Sequence, residues 1–443
     1  MNQETIIEIK RLGINGEGIG YINKKAVFVD FALPGEEVRI KITKDNKTYL
    51  NAELLEIIKP SKDRTKPFCK VYGECGGCQL QHLQYKEQLN LKRELIIGAL
   101  KRYTKGAIKF GLVKDTIGMD NHTHYRNKAT LPVMFQNGKT TIGMYKPGSN
   151  HLVAFDSCPV QNEDINKVYR LILNQMEKRK IEAENHGGNL RYIIVRKTHH
   201  LGETQVTFVV TKKDEKIRSL AKYLVDKFEE VKSVYEVINS DKKTREFFTS
   251  NQKLLAGMPY VNEQLGDIRY HLKPESFFQL NTIQAERLYE TVVKLGELSR
   301  DDVVVDAYTG AGPMAFYMAP HVKKVYAIEL NKESFDSLEE TIKENNYTNI
   351  EALNGDVKTV LNKHKITADL MVFDPPRTGL GKAFTDFIIK YRPKKLIYVS
   401  CNPSTLAKDL NELLKVYDVK NITPIDMFPH TSHVETVVLM SRK

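Results

Sequence analysis

The 443-residue sequence has no tryptophan, only five cysteines, and no apolar run approaching the roughly 20 residues that span a bilayer. Each shortage excludes something. Five cysteines are too few, and odd in number, to staple a chain of this length as a secreted disulfide framework. Without tryptophan, stacking on nucleic-acid bases would fall to the 21 tyrosines, the 18 phenylalanines or the planes of arginine side chains. The opening MNQETIIEIKRL carries charges where a secretory leader places its apolar run, so the expected address is the cytoplasm, with no membrane partner. A monomer is the expected assembly.

What is present is an ordinary globular composition, 41% hydrophobic and 28% charged, with apolar material for more than one core. At roughly 150 residues per domain the length suggests about three domains. Lysine and arginine number 67 against 55 acidic residues, a net charge of +12 that suits a polyanionic partner without identifying one.

The segment from about 4 to 59 reads as short strands rich in Ile and Val, with Gly13, Gly16, Gly18 and Gly20 at tight corners. A five-stranded OB-like barrel is the expected closure. A polar linker, KPSKDRTKP (59–67), leads to a cysteine cluster and then to QYKEQLNLKRELIIGALKRY (84–103). There Leu89, Ile96 and Leu100 recur at helical spacing among Lys86, Lys92, Arg93, Lys101 and Arg102, a basic amphipathic helix. From about 125 to 250, strands such as LRYIIVRKT and TQVTFVVT alternate with two helical stretches, the pattern of an α+β domain on a mainly antiparallel sheet. After about 270 the rhythm becomes strand, helix, strand, helix, and ligands of such doubly wound sheets sit at the carboxyl ends of the strands. The expected fold class is therefore multidomain: an N-terminal OB-like β-barrel (1–60), a central α+β domain with the cysteine cluster (67–250), and a C-terminal α/β Rossmann-like domain (251–443).

The strand ends carry the chemistry. VVVDAYTGAGPMA (303–315) is a strand, a glycine loop and a helix start, with Ala315 where a dinucleotide fingerprint has its third glycine. The next strand ends in Glu329, where a carboxylate can accept ribose hydroxyls, and the third in Asp356, placed to meet an adenine amine. This set points to S-adenosylmethionine. The fourth strand ends in Asp374 of FDPPRTG. The fifth, LIYVSCNPS, presents Cys401 beside a helix start, a position expected to lower a thiol's pKa. A methyltransferase needs such a nucleophile when the target is carbon 5 of a pyrimidine: thiolate addition at carbon 6 makes carbon 5 nucleophilic. A base must then remove the carbon 5 proton. HTSHVETVVLM (430–440) offers His430, His433 and Glu435. Glu435 is the first choice, because burial beside an apolar strand would raise its pKa toward neutrality, and His433 is second.

Cys69, Cys75 and Cys78 follow a C-x5-C-x2-C spacing, with Cys158 far downstream before a proline. Four thiolates satisfy either tetrahedral zinc or an iron–sulfur cube.

DAYTGAG, FDPPRTG, YVSCNPSTLAKDL, HTSHVETVVLMSR and SFFQLN (276–281) together resemble the RNA uracil-5-methyltransferase family, whose members include transfer-RNA and 23S ribosomal-RNA enzymes. The likeness covers essentially the whole chain and makes the barrel resemble a TRAM domain. It implies that Gln279, Tyr308, Glu329, Asp356 and Asp374 bind S-adenosylmethionine, that Cys401 is the nucleophile, and that Glu435 is the base. It also implies a [4Fe–4S] cluster on Cys69, Cys75, Cys78 and Cys158, and that part of the 84–115 helical segment packs on the catalytic domain. Pro313 departs from members that carry Asn there. The implied function is methylation of a uridine flipped out of RNA, with 23S ribosomal RNA the expected partner. Transfer RNA, or a non-catalytic RNA-binding or assembly role, are the alternatives.

Overall fold

The computed structural model describes residues 4–241, 244 and 246–443. The chain forms two compact units, one made of Met1–Asp120 together with Val372–Lys443, the other of Asn121–Met371. Among the described residues no helix is long and apolar enough to cross a membrane.

The first unit begins with the barrel. Its sheet order runs Glu4–Glu8, Glu37–Asp45, Tyr49–Lys59, Lys25–Val29, Gly18–Ile22, Arg11–Leu12. The first and last strands follow one another in the chain, so one bent strand pairs at both ends and closes the sheet. Counted that way, the barrel has the five strands the sequence suggests. Its core is Ile9, Val27, Val29, Val38 and Ile40, all fully buried at alternating positions. Gly18 and Gly20 are needed inside it: a Cβ would lie 2.6 Å from the Ala32 carbonyl oxygen at one and 2.7 Å from that of Glu8 at the other. Glu36, buried at the barrel's end, accepts from the Leu33 amide at 2.8 Å and from Arg64 Nε at 2.6 Å, tying the linker to the barrel.

The helix Tyr85–Thr104 lies in the same unit and packs on the helix Pro403–Leu413. Its charges are not all on a solvated face. Lys92 is 0% exposed and forms a buried ion pair with Asp426, while donating to the Phe428 carbonyl at 3.1 Å. Tyr85 donates its hydroxyl to the second oxygen of Asp426 at 2.8 Å. After the helix, residues 113–117 run along the strand Tyr417–Ile425: the Lys114 amide donates to Ile422 and the Ile117 amide to Pro424. That strand pairs antiparallel with Glu435–Arg442, which pairs antiparallel with Lys395–Ser400.

The second unit holds a mixed seven-stranded sheet in the order Gln252–Gly257, Val231–Ile238, Thr204–Val210, Leu190–Lys197, Lys128–Gln136, Lys139–Tyr145, Leu152–Ala154. Only Thr204–Val210 and Val231–Ile238 pair in parallel. The amphipathic helices Glu163–Arg179 and Glu215–Lys227 bury Ile165, Ile172, Ile217 and Leu224 in its core. The unit continues into parallel strands Val303–Ala307, Lys324–Glu329 and Ile350–Asn354, whose carboxyl ends carry the glycine loop, Glu329 and Asp356.

Removing Asp426 would leave the Lys92 ammonium buried without its counter-charge, a loss of about 3–5 kcal/mol. We therefore expect Asp426→Ala to lower the urea midpoint of the unit containing it, followed through tyrosine fluorescence. A midpoint equal to the parent's would mean that the pair adds nothing.

Candidate functional site

In the first unit, the strand Lys395–Ser400 delivers Cys401 to a turn and the helix Pro403–Leu413 follows at once. Asn402 makes that geometry: its side chain caps the helix by accepting from the Ser404 amide at 3.0 Å, and its Nδ2 donates to the Arg377 carbonyl at 3.1 Å. Arg377 is thus fixed beside Cys401 through its backbone. The loop that carries it is held from below as well. Asp409 Oδ2 accepts from Tyr398 at 2.7 Å and from the Leu380 amide at 2.8 Å. Gly379, at φ +78°, lies so near that a Cβ would sit 2.5 Å from Asp409 Oδ2. A cavity of about 150 Å³ opens here, walled in part by Cys401, Asn402, Arg377, His433 and Ser432.

The electrostatics reverse one expectation. Burial, followed by the carboxylates of Glu435 and Asp374, pushes the Cys401 thiol up to about 11, and Arg377 only partly opposes them. The adjoining helix start does not make this a low-pKa cysteine. Burial also raises Glu435, then the Asp374 charge raises it further, to about 8, with Arg377 again opposing. At neutral pH Glu435 is therefore largely protonated, a buried carboxyl that can lose or regain a proton near physiological pH.

The two histidines separate. His433 is exposed and meets Arg377 Nη2 at 3.2 Å. His430 is buried, at φ +67°, and its backbone amide donates to Gln88 Oε1 at 2.9 Å. Its carbonyl accepts from both the Gln79 and Leu80 amides, each at 2.9 Å, which fastens the cysteine-rich loop to the segment leading to Glu435. That loop holds Cys69, Cys75 and Cys78, all half-buried. The Cys69 amide donates to Gln81 Oε1 at 3.1 Å, the Tyr72 hydroxyl to the Gln79 carbonyl at 2.7 Å, and the Gly77 amide to Cys75 Sγ at 3.4 Å.

In the second unit, Tyr308 takes a left-handed conformation, φ +61°, to turn the chain out of Val303–Ala307, and Gly310 continues the turn at φ +60°. A Cβ at Gly310 would meet nothing within 4 Å, so the backbone faces open space. Both oxygens of Glu329 are engaged, accepting from the Gly310 amide at 2.9 Å and the Asn331 amide at 2.7 Å. Gly310 and Asn331 border a cavity of about 470 Å³ together with Ser276, Phe277 and Ala311. SFFQLN and the glycine loop therefore meet at one cavity. The backbone carbonyl of Gln279 accepts from Asn127 Nδ2 at 2.8 Å. Asp356 caps its own helix, one oxygen accepting from the Thr359 amide at 3.0 Å and hydroxyl at 2.9 Å. Asp306, which sequence reasoning passed over, is fully buried. It accepts from Thr309 at 2.5 Å, and burial raises its pKa to about 7. Asp374 falls in the first unit, and its charge acts on Cys401 and Glu435. Cys158 falls in the second, its amide donating to Asn166 Oδ1 at 2.9 Å.

Three comparisons bear on this arrangement. The profile described as tRNA (Uracil-5-)-methyltransferase matches residues 84–443, and that of the TRAM domain matches residues 2–55. A protein of Clostridium tetani named an uncharacterized RNA methyltransferase is 39% identical, covering 99% of this chain and 96% of its own length. One of the same description from Bacillus anthracis is 37% identical, covering 100% and 98%. Among solved structures, the Pyrococcus abyssi tRNA (uracil-54, C5)-methyltransferase, in complex with S-adenosyl-L-homocysteine, superposes with a TM-score of 0.76 at 25% identity. The match covers 98% of this chain and 99% of that one.

A thiol raised from about 9 to about 11 is some hundredfold less ionised at pH 8. Iodoacetamide, with modification read at each cysteine by mass spectrometry, should therefore alkylate Cys401 far more slowly than a free thiol at pH 8. Its rate should climb until about pH 11, and a plateau near pH 7 would contradict the charge balance described.

Proposed function

Since the chain belongs to the tRNA (uracil-5-)-methyltransferase family and carries a TRAM domain, it is an RNA methyltransferase, and we propose that its reaction is methylation of carbon 5 of uridine in 23S ribosomal RNA. One observation carries the reading. A strand-end cysteine and an arginine line one pocket, and a buried carboxyl with its pKa near 8, Glu435, follows directly on the pocket-lining Val434 and is near enough for its charge to act on that cysteine. S-adenosylmethionine, when bound, supplies an electrophilic methyl group. We assign its binding to Gln279, Tyr308, Glu329 and Asp356, with Asp374 at the fourth strand's end. The open backbone at Gly310 gives room for a nucleoside, and Glu329, which holds that loop, retains lone pairs for ribose hydroxyls.

The chain's own residues divide the chemistry in two. Cys401 gives up its proton to solvent and its sulfur adds to carbon 6, the ring's 5,6 double-bond electrons moving toward the carbon 4 carbonyl oxygen, and the Arg377 guanidinium beside the sulfur favours the thiolate as it forms. Carbon 5 then becomes nucleophilic. Once it bears the methyl group, Glu435 in its ionised form takes the carbon 5 proton, the carbon 6 to sulfur bond breaks, and Cys401 leaves as thiolate. Carbons 5 and 6 of a stacked uridine are covered above and below, so the nucleotide must leave the stack first.

Cys69, Cys75 and Cys78, with Cys158 added by the sequence pattern, are the ligands we assign to a [4Fe–4S] cluster, a thiol set that suits such a group. It has no step in the reaction above, and its place is to hold the loop fastened to His430. The cysteine motif favours ribosomal RNA as substrate. The likeness to a solved enzyme that acts on uracil 54 of transfer RNA favours the second reading, transfer RNA.

Cys401→Ala should abolish methyl transfer from labelled cofactor while leaving cofactor affinity within about twofold. Glu435→Gln should instead accumulate a covalent RNA adduct, seen as a slow-migrating band, and its absence would remove Glu435 as the base. Mass mapping of ribosomal and transfer RNA from a strain lacking the protein decides the substrate. A lost methyl in neither would refute the reading.

A further inference from the structure

The pocket at Cys401 is not walled by catalytic-sheet residues alone. Ile14 and Asn15, at the tip of the barrel's first turn, line it together with Leu95 of the helix Tyr85–Thr104. Ile14 is 46% exposed, comparable to Ile6 at 49% and Ile58 at 41% on the same barrel, but of these three Ile14 is the one that lines the pocket at Cys401.

Its position is built, not incidental. The Gly13 amide donates to the Glu17 carbonyl at 2.7 Å and the Gly16 amide to that of Gly13 at 3.1 Å, and the Glu17 carboxylate accepts from the Asn15 amide at 2.9 Å. Those bonds close a tight turn with residues 14 and 15 at its tip. Gly16, at φ +90°, lets the turn lie flat on its neighbours: a Cβ there would be 3.1 Å from Gln79 Cβ, 3.2 Å from Leu80 Cδ2 and 3.7 Å from Ser432 Cβ. Gln79 and Leu80 are the two residues whose amides grip His430, and Ser432 itself lines the pocket. Beneath the turn, Leu12 packs with Leu33, Leu80 and Leu83 in a small apolar cluster. The tip is therefore fixed relative to Cys401 by packing on both sides.

The volume selects the occupant. A half-open space of about 150 Å³ has room for one six-membered ring. We propose that the barrel turn is part of the base pocket, with Ile14 supplying the apolar surface against which the extracted pyrimidine rests while Cys401 attacks carbon 6. This rests on the uracil reading above. It makes the N-terminal barrel a contributor to substrate positioning at the reacting ring, in addition to any grip on the RNA chain. An aliphatic side chain suits that place, because it covers a ring face without competing for the polar edge.

The test uses the full-length protein, S-adenosylmethionine and RNA transcribed with 5-fluorouridine. Cys401 sulfur bonds to carbon 6, carbon 5 takes the methyl group as the methyl–sulfonium bond breaks, and S-adenosylhomocysteine leaves. Fluorine then stands where the proton would be removed, elimination is blocked, and the adduct persists for counting. Ile14→Ala should slow single-turnover adduct formation at saturating RNA about tenfold, the worth of one lost aliphatic contact. The RNA dissociation constant from filter retention should stay within about twofold, and Ile14→Leu should restore most of the rate. Weaker RNA binding with an unchanged adduct rate would make Ile14 a surface grip and overturn the proposal, as would no change in either. No adduct from the unaltered protein would refute the uracil reading itself, and the proposal with it.

Discussion

The buried pairing of Lys92 with Asp426 is the constraint on which the first unit depends. The partners are 334 residues apart in sequence, yet both side chains are fully removed from water. A charge so placed is tolerable only if its partners are held, and here they are: Tyr85 takes the second oxygen of Asp426, and Lys92 also reaches the Phe428 carbonyl. Gln88, one turn away on the same helix, bonds the backbone amide of His430. The segment between Asp426 and Glu435 thus follows a helix face, and the base we assign and the cysteine-rich loop inherit their positions from it.

That arrangement explains which features the sequence disclosed. Strand-end residues were legible because a doubly wound sheet puts ligands there whatever the details, so Glu329, Asp356 and Cys401 could be picked from rhythm and residue type. The raised pKa of Glu435 could be argued from an apolar strand alone. The thiol was misjudged because its ionisation depends on Glu435 and Asp374, two carboxylates that only the folded chain brings near it. Lys92 read as one more surface charge because helical periodicity does not reveal a buried partner three hundred residues on. Ile14 carried no signal either: one isoleucine among many in a strand-rich segment becomes distinctive only when its turn is seen against Gln79 and Ser432. Strands Val231–Ile238 and Gln252–Gly257 escaped for a plainer reason: VKSVYEVI and QKLLAG do not alternate apolar with polar residues.

The charges around Cys401 suggest how the nucleophile we assign is kept quiet. In the protein alone, two nearby carboxyls and burial favour the neutral thiol, so reagents that seek thiolates find little of it. Among the described residues, Arg377 is the cation that pulls the other way. Under our reading, it is the arrival of an electron-poor ring that gives the sulfur somewhere to place its charge, and reactivity is coupled to the presence of substrate.

The first unit is discontinuous in the chain, with Met1–Asp120 and Val372–Lys443 enclosing the whole of the second. Synthesis runs from the amino end at about 5–20 residues per second, so the barrel, the cysteine loop and the Lys92 helix are made on the order of tens of seconds before Asp426 is. Throughout that interval the helix carries an ammonium with no counter-charge and an apolar face with no sheet to cover it. The second unit, contiguous in sequence, can complete its own core meanwhile. The pocket at Cys401 accordingly forms only after the second unit has been made, and a nascent chain assembles the site we assign once both segments of the first unit are present.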